Sequence, residues 1–384
     1  MNEKNTLTAC VIAALLPSLS GCAILGHTPQ RDPRDSVALL PQLTRPTQTE
    51  TTQRRTTRVI QITLDGARWQ EIYTGVDPRL ARDAGLGPAE IVPSNALLPN
   101  IYRHVIARGV ALGAPGHGVV EASGPTFVSL PGYMELFLGL RSGCESNDCP
   151  SVDRATILDD VAALPGTAFG DVAIIGSWDG LEKAAALDPS RIMMSIGRRA
   201  GKTREALRLN EELGALLDEG AASPPFPGDG DYRPDGITGK LALAFVAERR
   251  PTFLHVGLGD TDEHAHRGDY AGYLGALRLA DRFVGDLVAK LREQGDLDDT
   301  TIVITADHGR SSDFRNHGKA PESSRVFVLA AGGSVPIAGY ATSPDALRLA
   351  DVAPTLRTLL GLRASRAITA MLPLPRPAEY GTGG

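Results

Sequence analysis

The chain has 384 residues, 39 of them Lys or Arg and 45 Asp or Glu, for a formal net charge of −6. That length suits one large domain or two ordinary ones with a substantial buried core, and leaves the oligomeric state open. The charges are evenly spread, and with no basic stripe the composition argues against a nucleic-acid-binding surface.

At the N-terminus Lys4 precedes the apolar run "LTACVIAALLPSLSGC". The run is too short for an ordinary membrane span and has the build of a signal h-region. It ends in Leu19-Ser20-Gly21-Cys22, which resembles a bacterial lipobox. This predicts a lipoprotein signal peptide over 1–21, cut before an acylated Cys22. The alternative is a plain signal peptide that happens to contain a Cys. Several acyl chains on one residue would anchor the protein stably to a lipid bilayer. Ala23, where an Asp would retain the protein, permits transfer to the outer membrane. The expected place is therefore the bacterial cell envelope, facing the periplasm.

Residues 22–57 are polar and rich in Thr, Pro and Arg, as in a flexible tether. The folded domain, 58–364, opens at "RVIQITLDG", an apolar β-branched run that reads as a buried parallel strand closed by Asp65-Gly66. "ALLPNIYRHVIARGV" (96–110) is predicted as a helix. Cys144 and Cys149 lie in the turn-rich "SGCESNDCPS". With Cys10 lost in the signal and Cys22 acylated, an oxidising compartment favours a disulfide between them. A C-x4-C metal site is the alternative, but no further Cys or spare His lies nearby. A loop so short contributes roughly 2 kcal/mol when closed, so its task would be to pin a loop.

Further strands are expected at 171–180, 252–260, 301–309 and 325–333. Amphipathic helices are expected at 203–219, 239–249 and 271–295, with 220–238 as a surface loop. Strand alternating with helix predicts an α/β fold, with a mostly parallel central sheet and helices on both faces. The Pro- and Gly-rich tail, 365–384, closes the chain.

In such sheets ligands bind beyond the carboxyl ends of the strands. Here the first strand ends at Asp65. The strand at 252–260 leads into "GDTDEHAHRGDY", with Asp260, Asp262, His264 and His266, and the strand at 301–309 ends in Asp307-His308. His317 follows in "FRNHGKAPE". Asp260/His264 and Asp262/His266 are nested pairs at i, i+4, and either pair can grip a metal from one helical face. One carboxylate at a strand end is often structural. Asp/His groups at three strand ends on one edge point to a divalent cation of hard-to-intermediate character, Zn²⁺ or Mn²⁺.

These residues resemble the alkaline phosphatase superfamily, and more closely its nucleotide pyrophosphatase/phosphodiesterase-like branch. The markers run in order from Arg58 to about Leu362. They are Asp65, a nucleophile segment "SGPTFVSLPGYMELFLG", Asp-x-x-x-His, Asp-His-Gly, a late His-Gly and a final helix "DVAPTLRTLLGL". The resemblance implies an alkaline-phosphatase-like fold and a two-metal hydrolase of phosphoric esters. It places the nucleophile at Ser129, two residues before Pro131 at the start of a helix, where anionic phosphate is favoured. Thr126 and Ser123 are the competitors.

The resemblance also separates the nested pairs. Asp262, Ala265, His266 and Gly268 fit its Asp-x-x-x-His pattern. His264 then becomes a pocket wall and Asp260 a loop-capping carboxylate. Asp262, His266 and His317 would hold one ion. Asp65, Asp307 and His308 would hold the other, with Ser129 beside it. Two cations roughly 4 Å apart can stabilise the attacking and leaving oxygens of an in-line displacement, here through a phosphoseryl intermediate.

Two departures limit the carry-over. Ser129-Leu-Pro-Gly is followed by Tyr133 where the sulfatases carry Arg, which argues against formylglycine chemistry. The phosphodiesterases usually carry Thr as nucleophile and Asn directly after the Pro, where this chain has Ser129 and Gly132. A phosphate-oxygen donor is then missing, or supplied by Arg310, Asn316 or Lys319, which read equally well as loop residues.

Tyr133 and Trp69 read as packing residues or cleft walls. His27, His104, His117 and His255 have no partner pattern, and His255 reads as buried within a strand. Two further functions stay open. One is a phosphoryl transferase or mutase acting on a small phosphorylated substrate, and the other is a metal-binding lipoprotein without catalysis.

Overall fold

A computed structural model of the chain describes residues 40, 56–198, 210–343, 346–362 and 366–372, all within one compact unit, Val37–Gly384. The signal segment with Cys10 and Cys22, His27, nearly all of the tether, the start of the 203–219 helix and most of the tail lie outside the described residues.

Eight strands form the main sheet. In chain order they are β1 (Arg58–Leu64), β2 (Gly109–Leu112), β4 (Val172–Gly176), β5 (Met193–Ile196), β6 (Phe253–Leu258), β7 (Thr300–Thr305), β9 (Val328–Gly332) and β10 (Gly339–Tyr340). Their spatial order is β10-β2-β9-β7-β1-β6-β4-β5. The core run β7-β1-β6-β4-β5 is parallel throughout, while β9 is antiparallel to both β7 and β2. A second, three-stranded sheet joins β3 (Val120–Glu121), β8 (Arg325–Val326) and β11 (Leu347–Arg348). Every residue of β6 and β7, and every residue of β1 after Arg58, is buried, so the sheet's centre is covered on both faces. This is why those strands read as unbroken apolar runs and not as alternating ones.

Three expectations need correction. The helix expected over 96–110 breaks into Ser94–Leu97, Pro99–His104 and a 3₁₀ turn at Ile106–Arg108, followed by β2. Pro99 has no N–H to continue the first segment and instead starts the second. The strand expected at 325–333 is two strands in different sheets, parted at Phe327. The surface loop expected over 220–238 is largely absorbed. Its ends belong to the helices Glu211–Ala222 and Asp235–Arg249, and Tyr232, Arg233 and Asp235 are buried. The missed signal was Pro234-Asp235, a helix-start pair.

Candidate metal centre and active site

The register of the sheet assembles the site. β7, β1 and β6 are parallel neighbours, so Asp65, the segment after Leu258 and Asp307-His308 emerge side by side at one edge. Gly66 makes the turn after Asp65 with φ +58°, and a Cβ there would lie 2.2 Å from Asp262 Oδ1. A glycine is needed both for the left-handed backbone and for that close approach. Its N–H donates to Asp307 Oδ1 at 3.1 Å, and Thr261 Oγ1 donates to the Asp65 carbonyl at 2.6 Å.

The short helix Asp260–His266 presents Asp262 and His266. Its entry is locked by a reciprocal cap. Asp235 accepts the N–H groups of Gly259 and Asp260 at 2.8 and 2.9 Å, while Asp260 accepts the N–H of Asp235 and the Tyr232 hydroxyl at 3.2 and 2.7 Å. Asp260 thus serves as a cap and is turned away from the metal-type cluster. His264 bonds Asp269 Oδ2 at 2.9 Å and packs edge-on against Phe226, so it does not form the pocket wall expected of it. Asp262 and His266 face the cluster, with His266 Nε2 3.0 Å from Asp262 Oδ2.

Ser129 opens the helix Ser129–Leu138. Its Oγ donates to Asp65 Oδ1 at 3.3 Å and lies 3.4 Å from His308 Nε2. The competing hydroxyls are elsewhere. Ser123 donates to Glu135 at 2.6 Å, and Thr126 lines a different cavity. Just before Ser129, Phe127 pairs with Gly318 through two backbone hydrogen bonds of 2.7 and 3.0 Å, which brings His317 over the cluster. His317 Nε2 then lies 3.0 Å from His266 Nε2, and its ring stacks on that of His308.

Two groups of potential ligand atoms result, each lying within 4.8 Å: Asp65, Asp307 and His308, and Asp262, His308 and His317. The first is the set expected from the sequence. The second carries His308 where His266 was expected, with His266 in direct contact with Asp262 and His317.

The donor chemistry fits cations. His308 Nδ1 and His317 Nδ1 face backbone carbonyls at 2.9 and 2.6 Å, and a carbonyl can only accept. Both Nδ1 atoms therefore carry the proton. Burial pushes the His308 pKa down to about 4 and that of His317 to about 3. Both rings are neutral at pH 7, with Nε2 lone pairs turned into the cluster, the arrangement that backbone carbonyls impose on metal-binding histidines. His308 Nε2 stands 3.5 Å from Asp65 Oδ1 and 3.4 Å from Asp307 Oδ2, lone pair against carboxylate. Asp307 Oδ2 is buried without a hydrogen-bond partner. Burial, together with the neighbouring carboxylates, raises the pKa of Asp65 and takes that of Asp307 to about 8. Positive charge placed between these acceptors would remove all of these penalties.

Asp262 differs. Burial opposes its ionisation, but the Arg310 guanidinium beside it, the His266 hydrogen bond and His308 hold its carboxyl well below the usual range. Arg310 is buried and fully engaged, by Asp262 and by the carbonyls of Phe314 and Arg315. It is a partner of Asp262, and the substrate contact expected of it is not available. Asn316 bonds Asp313 on the surface, and Lys319 lines a separate groove with Arg141 and Arg348. Tyr133 is buried, and its hydroxyl bonds Asp65, so it positions that carboxylate and does not meet substrate. Trp69 packs beneath Arg325, and His117 lies beside Tyr340 and Thr342, away from the cluster.

A cleft of about 120 Å³ opens over the cluster. Besides Asp65, Ser129, Asp262, His266 and His317 it is lined by Asn147, Trp178, Tyr232 and Glu263, none of which sequence reasoning singled out. Burial, then Asp262, raises the Glu263 pKa to about 7. Asn147 sits in the loop closed by the Cys144–Cys149 disulfide, whose Cα atoms are 5.9 Å apart.

The Metalloenzyme superfamily sequence model matches residues 237–364, the stretch that carries Asp262, His266, Asp307, His308 and His317. Similar curated proteins include the 2,3-bisphosphoglycerate-independent phosphoglycerate mutase of Synechococcus sp., 29% identical over 191 residues, which cover 42% of this chain and 34% of that protein. A phosphopentomutase of Acetivibrio thermocellus is 33% identical over 134 residues, 34% of this chain and 31% of its own length. The chain spans about a third of the length of these relatives. Among solved structures, the phosphonate monoester hydrolase of Silicibacter pomeroyi superposes with a TM-score of 0.53 at 16% identity, over 85% of this chain and 78% of that one. The phosphonate monoester hydrolase of Agrobacterium radiobacter gives 0.51 at 14%, over 83% and 78%. These likenesses give the fold, which has an alkaline-phosphatase-like architecture, and the matched segment is similar to the Metalloenzyme superfamily.

Proposed function

We propose that the protein hydrolyses phosphoric esters, through a phosphoseryl intermediate on Ser129. The observation that carries this reading is the convergence of one hydroxyl, at a helix start, with two overlapping Asp/His groups at the carboxyl edge of a parallel sheet. Asp65, Asp307 and His308 would hold one divalent cation, and Asp262, His317 and His266 a second, with Zn²⁺ best suited to the donors and Mn²⁺ next. Bound there, the cations would supply the charge that draws in a phosphoryl group and acidifies the Ser129 hydroxyl.

The chain's own residues then have defined tasks. Asp65 orients the Ser129 hydroxyl and holds its proton at Oδ1. Tyr133 fixes Asp65 from beneath, Arg310 fixes Asp262, and the Phe127–Gly318 bridge keeps His317 near the nucleophile. Ser129 Oγ bonds to phosphorus as the alcohol leaves, and water then releases phosphate and restores the serine. Turnover of p-nitrophenyl phosphate against bis-p-nitrophenyl phosphate tests the reading and separates monoesterase from diesterase. Loss of neither ester would overturn it.

A second reading has its own support. The similarity to a phosphoglycerate mutase and a phosphopentomutase favours transfer of the phosphoryl group to a hydroxyl. Hydrolysis in the presence of an acceptor diol, with the phosphorylated diol as product, would favour the transferase. The lipobox-like Leu19–Cys22 supports an envelope protein anchored by acylated Cys22, acting on a small phosphorylated substrate in the periplasm.

A further inference from the structure

The cleft over the Asp/His cluster must take the substrate's alcohol as well as its phosphoryl group, and its walls limit the charge that alcohol can carry. None of the described residues that line it is a Lys or an Arg. Arg310 is buried against Asp262, and Lys319 lies in a separate groove. Trp178 and Tyr232 carry no charge, and the Tyr232 hydroxyl is bonded to Asp260. The remaining wall is acidic. Glu263, half-buried, lines the cleft next to Asp262.

Glu263 has no partner of its own. No hydrogen bond or ion pair joins its carboxylate to a described residue. Its natural partner is Arg267, one helical turn further on, since opposite charges four apart on a helix are neighbours. Arg267 is drawn off instead. It donates to the Pro227 carbonyl, lies 5.4 Å from the centre of the Phe226 ring and reaches Asp229 at 3.6 Å. Neither group of potential metal ligands includes Glu263, and the Asp262 carboxylate repels it. A half-buried carboxylate, unpaired and beside a second one, is costly. A cation arriving in the cleft offsets both the lost hydration and the repulsion. An alcohol bearing a carboxylate or a second phosphate would meet Glu263 with no Lys or Arg to answer it.

We propose that Glu263 receives the ammonium group of the substrate's alcohol, so that the protein acts on phosphoric esters of amino alcohols. The inference rests on the phosphoester reading of the cleft and names the substrate class within it. Such an ester exists free or as the headgroup of a phospholipid, and Glu263 reads the same charge in both.

The test compares phosphoethanolamine with propyl phosphate, which has the same number of heavy atoms and no ammonium group. Both are given to metal-loaded wild type, Glu263→Gln and Glu263→Lys. Discrimination is read as the ratio of kcat/KM for the two esters within each protein, so a change in metal content or overall rate cancels. A hydrogen bond between charged groups corresponds to about a ten- to hundredfold change in affinity. Wild type should favour phosphoethanolamine by that factor, Glu263→Gln should bring the ratio toward unity, and Glu263→Lys should invert it. Vesicles of phosphatidylethanolamine separate the two sources. Ethanolamine released from them places the cation on a lipid, and release from phosphoethanolamine alone places it on a free ester. Equal kcat/KM for the two esters in wild type, or a ratio unchanged in Glu263→Gln, would overturn the inference and leave the phosphoester reading standing. A wild type that turns over none of these esters, nor either p-nitrophenyl ester, would overturn that reading and this inference with it.

Discussion

Acid should weaken the fold through His255, and the size of the effect follows from where that ring lies. His255 is fully buried on β6, against the edges of Phe137 and Tyr133, and neither ring nitrogen bonds a protein group. Burial pulls its pKa down to about 3. In the unfolded chain the value is about 6.5. Between those values the unfolded state binds a proton that the native state refuses. The stability contributed is therefore complete above the unfolded value and is lost as pH falls toward the folded one. At about pH 4.5 the unfolded ring has gained roughly two units of protonation free energy, a loss of about 2.7 kcal/mol. His308 and His317 shift in the same direction, so the wild-type curve alone cannot isolate the term. His255→Leu can, because it keeps an apolar group of similar size and removes one titration. Urea unfolding of chelator-treated protein, at neutral pH and at about pH 4.5, gives the double difference. The variant should lose about 2.7 kcal/mol less than wild type on acidification. Equal losses would show that His255 does not titrate as its burial requires.

The remaining predictions concern the site and the anchor. His266→Ala and Asp262→Asn should strip bound metal and cost orders of magnitude in rate, while His264→Ala and Asp260→Asn keep most of both; metal analysis of the four proteins decides, and retention of metal by the first two would mean the wrong pair was chosen. Gly66→Ala should cost about 1–2 kcal/mol for its left-handed backbone alone, and should also drive Asp262 aside, so metal loss to a chelator at unchanged folding would be the signature. Cys22→Ser should release the protein from membranes or block its processing, and unchanged fractionation and mature mass would refute the lipid anchor.

The parts of this molecule that were readable in advance share a cause. Strand ends at the sheet's carboxyl edge are local features. A buried parallel strand is an apolar run, and the residue that follows it is named by position, so Asp65, Asp307 and His308 could be found by reading along the chain. Spacing found both nested pairs, since helical periodicity puts each on one face, but the choice of Asp262 and His266 over Asp260 and His264 came from the family resemblance. What escaped was non-local. Asn147 enters the cleft because a loop closed by a disulfide folds back on the N-terminus of the preceding helix, Ser129–Leu138, and nothing in "CESNDC" announces a partner at Leu130. Tyr133 reaches Asp65 across the sheet's edge, and Arg310 turns inward to Asp262 instead of outward to substrate. The reciprocal cap of Asp235 and Asp260 joins residues 25 apart in sequence. Such pairs satisfy buried polar groups, and their partners are set by packing and not by spacing.

Covalent trapping on Ser129 tests the central claim most directly. Metal-loaded wild type is mixed with p-nitrophenyl phosphate, quenched in acid within one turnover, digested and sequenced by mass spectrometry. The account predicts a phosphoryl group on Ser129 in the wild type, and none in Ser129→Ala, which keeps its metal but loses turnover. Full turnover by Ser129→Ala, or a working wild type whose phosphate lies on another residue, would contradict it.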